Sequence, residues 1–251
     1  MVENPIERAQ DQLFAAGKSG RQKYEELVVG RRGFGPLIKH ELVVLAAQGR
    51  TGALGLALRK LLYPLLLGSC GRNVVFGQNV VLRHPHKIHV GRNVAIDDNC
   101  LLDAKGDTNH GIRIGNGVFI GRNTILSCKN GDIELADGAN IGFNCEIFSA
   151  SRVTIGRMVL MAAYSYVIGG DHDFSDPGQA VLEQATVSAG VSIGDGAWIG
   201  AGAKILDGVD VGSHAVIGAA ALVREPVPAG AIAVGIPARV VGSRAAAQAD
   251  R

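Results

Sequence analysis

From Phe76 onward, apolar residues return every six positions. "FGQNVV", "VGRNVA", "IGNGVF", "IGRNTI", "IGFNCE", "IGRMVL", "IGAGAK", "VGSHAV" and "IGAAAL" share one order: an apolar opener, a small or acidic second residue, and a small or β-branched residue four after the opener. This period fits neither the 3.6 of a helix nor the alternation of a lone strand. It predicts a three-sided coil with one short strand per side, the opener and the fifth residue pointing inward. Glycine at the second place is expected near a corner, where its backbone freedom is needed. "IHVG", "IRIG", "IELA", "VTIG" and "VSIG" mark one corner at which each coil carries extra residues. Coils of this kind bury apolar side chains only against their neighbours, so they are stable as a stack.

Residues 1–67 follow another rhythm. "NPIERAQDQLFAAG", "QKYEELVVGRRG" and "GPLIKHELVVLAAQG" have helical spacing, and Thr51 to Leu67 reads as an amphipathic helix that Pro64 bends or ends. The chain therefore divides into a helical N-terminal segment (1–67), a coil domain (68–242) and a C-terminal tail (243–251) expected to be disordered. The head has two open roles: capping the exposed end of the stack, or docking peripherally on a membrane through Leu and Tyr flanked by Arg and Lys. "ALGLALRKLLYPLLLG" is the most apolar stretch, but Arg59 and Lys60 divide it and it is too short to span a bilayer. The expected location is cytoplasmic, at the inner face of the membrane if the head docks.

Composition sharpens this picture. There are 35 glycines and only 5% aromatics, as tight turns and small inward positions require. A net charge of +2 gives no reason to expect a nucleic-acid partner. Cys70, Cys100, Cys128 and Cys145 form no CxxC pair; Cys100 and Cys145 fall at fifth positions of hexads and read as reduced core residues. "HPHKIHVG" places His84, His86 and His89 close together, but an extended chain points His89 away from the other two, so no metal site is expected.

The beat stops at "VIGGDHDFSDPGQA", between Gly170 and Val187. The hexads, "VTIGRMVLMAAYSYVIGGDH" and the long run from "VSIGDGAWIG" to "AVGIPARVVG" together resemble the hexapeptide-repeat acyltransferases. The likeness covers about Phe76 to Val240 and is nearest the sugar O-acetyltransferases: the galactoside and maltose enzymes and their polysaccharide-modifying relatives. It implies a mainly β fold, a left-handed parallel β-helix with an α-helical N-terminal segment. It also implies a homotrimer with active sites between subunits, and acetyl-CoA (acyl-CoA) as co-substrate with no tightly bound cofactor.

Moving an acyl group from a thioester to a hydroxyl needs a base for the hydroxyl proton, and histidine, with an unperturbed pKa of ~6.5, suits that task near neutrality. His172 matches the family's base. Asp171, Asp173, a backbone carbonyl or Glu146 are open candidates for orienting its ring or meeting the acceptor. Asn144 matches a family asparagine near the acceptor, though "IGFNCEIFS" is two residues shorter than in the galactoside enzymes, and corner asparagines are common in such coils. His110, in "KGDTNHGIRIG", is the rival base without a family counterpart.

On the donor side, Trp198, Ala201 and Ala219 match positions along the pantetheine arm. Lys204, Arg224 and Arg239 are candidate partners for the phosphates, which guanidinium and ammonium groups bind well. No P-loop or strand-linked GxGxxG indicates ATP or NAD. The expected activity is CoA-dependent O-acylation of a hydroxylated saccharide or lipid-linked glycan with no covalent acyl-enzyme. N-acylation of an amino sugar, a non-catalytic scaffold and a γ-type carbonic anhydrase are the alternatives.

Overall fold

The computed structural model describes residues 2–3, 14 and 16–245. From Ser69 the chain winds into a parallel β-solenoid of about eight turns, consistent with the left-handed β-helix that the family resemblance implies. Three ladders make its faces. Face one runs from Val75–Phe76 through Asn140–Ile141, Leu160–Met161 and Trp198–Ile199 to Ala231–Val234. Face two runs from Val81–Arg83 through Glu146–Ser149, Tyr166–Gly169 and Lys204–Ile205 to Leu222–Val223. Face three runs from Ser69–Cys70 through Asp132–Leu135, Arg152–Ile155 and Val191–Ile193 to Asp210–Val211. Openers and fifth residues fill the interior: Ile120, Ile141, Ile199 and Ala203 are wholly buried. Cys100, Cys128 and Cys145 are buried free thiols, and burial pushes all three upward, Cys100 to about 11.

The role expected for the second-position glycine is corrected by the geometry. The left-handed residue of each corner is the fourth of the hexad, as at Asn79, Asn123, Asn144, Met158 and Ala220. The second glycine is needed because successive coils approach closely there: a Cβ on Gly142 would lie 2.8 Å from the Ala163 nitrogen, and one on Gly194 2.5 Å from the Ser213 nitrogen. Fourth-position asparagines tolerate the left-handed backbone and form a ladder along the corner between faces one and two. Asn79 donates to Asn99 (3.2 Å), Asn99 to Asn123 (3.3 Å) and Asn123 to Asn144 (3.0 Å).

The described part of the head has three helices. Helix α1, Gly20–Tyr24, starts with a capping box between Ser19 and Gln22 and runs into a wider turn, Glu25–Val29, ended by left-handed Gly30. Helices α2 (Phe34–Ala47) and α3 (Gly52–Leu62) follow, and Pro64 lies in a 3-10 turn after α3. Val43, Ala47, Tyr63, Leu66 and Leu67 join the apolar column at its first coil, against Val74, Phe76 and Val80. Arg59, 1% exposed, donates to the carbonyls of Phe76 (2.9 Å), Ala47 (3.1 Å) and Arg50 (2.6 Å), while the Tyr63 hydroxyl donates to Val80 O (2.9 Å). The head thus covers the N-terminal end of the stack. The sequence NPIERAQDQL, read above as helical, lies outside the described residues. At the other end, Arg239–Ser243 turns back antiparallel on Ala231–Val234, so the strand reaches the first residue assigned to the tail; 246–251 lie outside the described residues.

Candidate active site

The large excursion leaves face two after Gly169 and rejoins face three at Val191. Its feet are tied down. Ser188 Oγ donates to Gly169 O (3.0 Å) and shares a 2.7 Å bond with Ser151, while Asp207 accepts the amides of Ala189 (2.8 Å) and Gly190 (2.9 Å). Gly190 has φ +85, and a Cβ there would strike Arg152 O. Above the feet, Asp171–His172 pairs antiparallel with Thr186–Ser188, His172 opposite Thr186. The tip is an Asp176-Pro177-Gly178 turn stapled by Gln184, which accepts from the Asp176 amide (3.0 Å) and donates to Asp176 O (2.9 Å) and Gln179 O (3.1 Å). His172 therefore stands on a short hairpin with a fixed base.

Its side chain is exposed and bonds to none of the described residues. The two flanking aspartates are occupied locally. Asp171 accepts the His172 amide (2.8 Å), and Asp173 accepts the Ser175 amide (2.9 Å), which holds the Asp173 carboxyl below its usual range. Glu146 pairs in register with Tyr166, at the opposite end of face two, where burial and the Glu146 charge push the Tyr166 phenol up. Within one chain, then, none of the three candidate carboxylates orients the imidazole. Asn144 is likewise distant along the chain's path: it closes the asparagine ladder at the corner of faces one and two, whereas His172 follows the corner of faces two and three.

The donor-side residues do come together. Trp198, half exposed, lies on face one between Leu160 and Val216 in an open groove of about 880 Å³ that His214 and Arg244 also line. Exposed Ala201 and Ala219 follow at the next corner on successive coils, linked by the Ala220 amide donating to Ala201 O (2.8 Å). Lys204 opens the face-two strand just beyond. Gly200 lets the coils meet, since a Cβ would lie 2.6 Å from the Ala219 nitrogen. Arg224 and Arg239 sit at the C-terminal end of this edge and share Glu225, at 3.7 and 3.8 Å.

The three histidines of "HPHKIHVG" make structural contacts. His84 Nε2 bonds Glu26 O (2.7 Å), His84 and His86 stack at 6.2 Å, and His89 Nδ1 bonds Ser69 Oγ (3.0 Å). Burial lowers all three, His86 to about 4. Among the described residues no group of three His, Cys, Asp or Glu side chains is arranged to hold a metal. The His110 amide is tied to Asp132 (2.7 Å) at the foot of the smaller excursion. Sequence reasoning missed a polar cavity of about 470 Å³ between head and coil, lined by Arg31, Arg32, Lys87, Lys105, Lys129 and acidic partners. Its residues are far apart in sequence, and only the docked head unites them.

Residues 190–225 match the family model described as bacterial transferase hexapeptide (six repeats). These coils carry the bacterial transferase repeat. A protein named probable acetyltransferase Rv3034c, from Mycobacterium tuberculosis, is 33% identical over 133 residues, 53% of this chain and 44% of that protein. The chain thus matches less than half the length of that curated relative. Among solved structures, a variant of AntD, an N-acyltransferase from Bacillus cereus in complex with dTDP and coenzyme A, is similar at TM-score 0.51 and 25% identity, covering 73% of this chain and 88% of that one. The polySia-specific acetyltransferase NeuO shares the fold at TM-score 0.52 and 22% identity, over 69% of this chain and 80% of its own.

Proposed function

We propose that the protein is a coenzyme A-dependent acyltransferase that moves an acetyl group from acetyl-CoA to a hydroxyl of a sugar or glycan. The observation that carries the reading is the pairing of one histidine-bearing hairpin with a regular donor edge. His172 stands on a fixed foot, and Trp198 on face one, Ala201 and Ala219 at the next corner and Lys204 at the start of face two border one edge. AntD, with the same architecture, holds coenzyme A. In this reading the His172 imidazole takes the acceptor's proton as its oxygen attacks the thioester carbonyl. The carbon–sulfur bond breaks, an ester forms, and the imidazolium returns the proton to the departing thiolate. Arg224 and Arg239 receive the CoA phosphates, exchanging Glu225 for a more highly charged partner. Asn144 is an acceptor-side residue contributed from another corner.

His172 and the donor edge lie at different corners of the solenoid, so the complete site in this reading lies between copies in a homotrimer. N-acylation of an amino sugar is the second reading, favoured by the likeness to AntD, which is an N-acyltransferase. Incubating the protein with acetyl-CoA and a panel of saccharides while following thiol release tests both. Release with neutral sugars that falls ~10²–10⁴-fold in His172→Ala, the usual contribution of a positioned base, with coenzyme A affinity retained, is the expected result. Release with amino sugars alone would select N-acylation, and full turnover by His172→Ala would overturn the role of the hairpin.

A further inference from the structure

Helix α2 is apolar on two opposite sides. Val43 and Ala47 are buried against the solenoid, with His40 buried beside them, while Phe34 (66% exposed), Ile38 (53%), Leu42 (63%) and Leu45 (72%) form a stripe on the other side. At 100° per residue the stripe lies directly across the helix from the buried face. Helix α3 adds Leu54 (69%) and Leu61 (71%), two turns apart. A helix apolar on a second, outward face has a further surface to bury, and large exposed apolar patches on soluble chains mark interaction surfaces. Because the inward side of α2 caps the first coil, the stripe faces away from the N-terminal end of the stack.

The charge around the stripe identifies the occupant. Between residues 16 and 67 nine Lys and Arg stand against three Glu, a net of +6 in a chain whose total is +2. Lys39 and Lys60 are exposed and form no ion pair among the described residues, and the Arg21 guanidinium lies 4.3 Å from the Phe34 ring centroid. A second copy meeting this surface would set the exposed Lys39 and Lys60 against the same cations, a juxtaposition that disfavours association. An anionic bilayer meets both features: its headgroups attract the cations, and its acyl boundary receives the Phe, Ile and Leu side chains. No helix among the described residues is long and apolar enough to cross a membrane. We infer that the head is an interfacial anchor that lays the outward faces of α2 and α3 on an anionic lipid surface while its inner faces cap the solenoid.

This inference stands apart from the acyltransferase reading and is tested on the full chain by co-sedimentation with vesicles. The protein should pellet with phosphatidylcholine vesicles containing phosphatidylglycerol, remain in solution with phosphatidylcholine alone, and be released by salt as the surface potential is screened. Leu42→Glu/Leu45→Glu and Lys39→Glu/Lys60→Glu should each weaken binding by roughly tenfold or more, with oligomeric state and thiol release on a soluble saccharide unchanged. Wild-type protein left in the supernatant with anionic vesicles would overturn the anchor. So would equal binding to neutral vesicles. A change of oligomeric state in Leu42→Glu/Leu45→Glu without loss of vesicle binding would assign the stripe to a second copy instead.

Discussion

At the scale of single residues, the chemistry of this chain depends on what each side chain's neighbours leave free. Asp171 and Asp173 look like partners for His172 in sequence, yet both carboxylates accept backbone amides instead. Asn144 reads equally well as a catalytic amide or a corner residue, and its left-handed backbone and bond to Asn123 place it in the ladder. The histidines of "HPHKIHVG" illustrate the same point with a measurable consequence. His84 is buried and His86 partly buried where the head meets the coil, and desolvation, with Arg31 and Lys87 nearby, keeps His86 neutral down to about 4. The unfolded chain takes up protons at the ordinary histidine value of ~6.5, so in this window it binds more protons than the fold. Stability should therefore be constant above neutrality and fall as the pH drops from ~6.5 toward 4. Thermal unfolding at pH 7 and pH 5 checks this: Tm should be lower at pH 5, and His86→Asn should shrink the difference. An undiminished difference in that variant would place the titration elsewhere.

At the scale of elements, the hexad was legible because its inward positions repeat a narrow set of types, apolar openers and small or β-branched fifth residues, with Thr124 and Ser165 the polar members. Openers need only be apolar and of suitable size, and fifth residues small or β-branched, with a hydroxyl tolerated where it bonds a carbonyl, as at Thr124 and Ser165. What the repeat did not disclose was why glycine follows the opener. Backbone freedom and lack of a Cβ both produce a glycine in sequence, and only the distance to the next coil separates them. Gly142 and Gly194 avoid collisions with backbone, whereas the left-handed residue sits two places later and is often not glycine. Two substitutions separate these causes. Gly142→Ala forces backbone apart in a close-packed interior and should cost ~2 kcal/mol or more. Ala220→Gly relieves a left-handed alanine at φ +57 and should stabilise by about 1 kcal/mol. Urea unfolding measures both; equal and opposite signs to these would return the corner to the second position. The head was legible as helices for the same reason as the coil, by period. Its outward stripe was not, because a helical pattern shows that residues are apolar and not which of them another element covers.

At the scale of the molecule, the solenoid separates the two halves of the proposed site as surely as it holds each one rigid. His172 rises beyond the end of face two, on a hairpin whose feet bond Gly169, Ser151 and Asp207. Trp198, Ala201 and Ala219 run along the corner of faces one and two. Neither half can swing to the other, because every coil between them is locked by parallel ladders and close glycine contacts. In the homotrimer proposed above, the hairpin of one copy would lie over the donor edge of the next. The arrangement makes a prediction that a site within one chain does not. His172→Ala lacks the base but keeps the donor edge; Ala201→Glu puts a carboxylate in the path of the pantetheine arm but keeps the base. Each alone should be nearly inactive. Co-expressed in equal amounts and mixed at random in a ring, about a quarter of the interfaces pair an intact hairpin with an intact edge. Thiol release by the mixture should therefore recover to about a quarter of the wild-type rate, whereas variants purified separately and combined without subunit exchange should stay inactive. A co-expressed mixture as inactive as its parents would mean that hairpin and donor edge do not serve one site across copies.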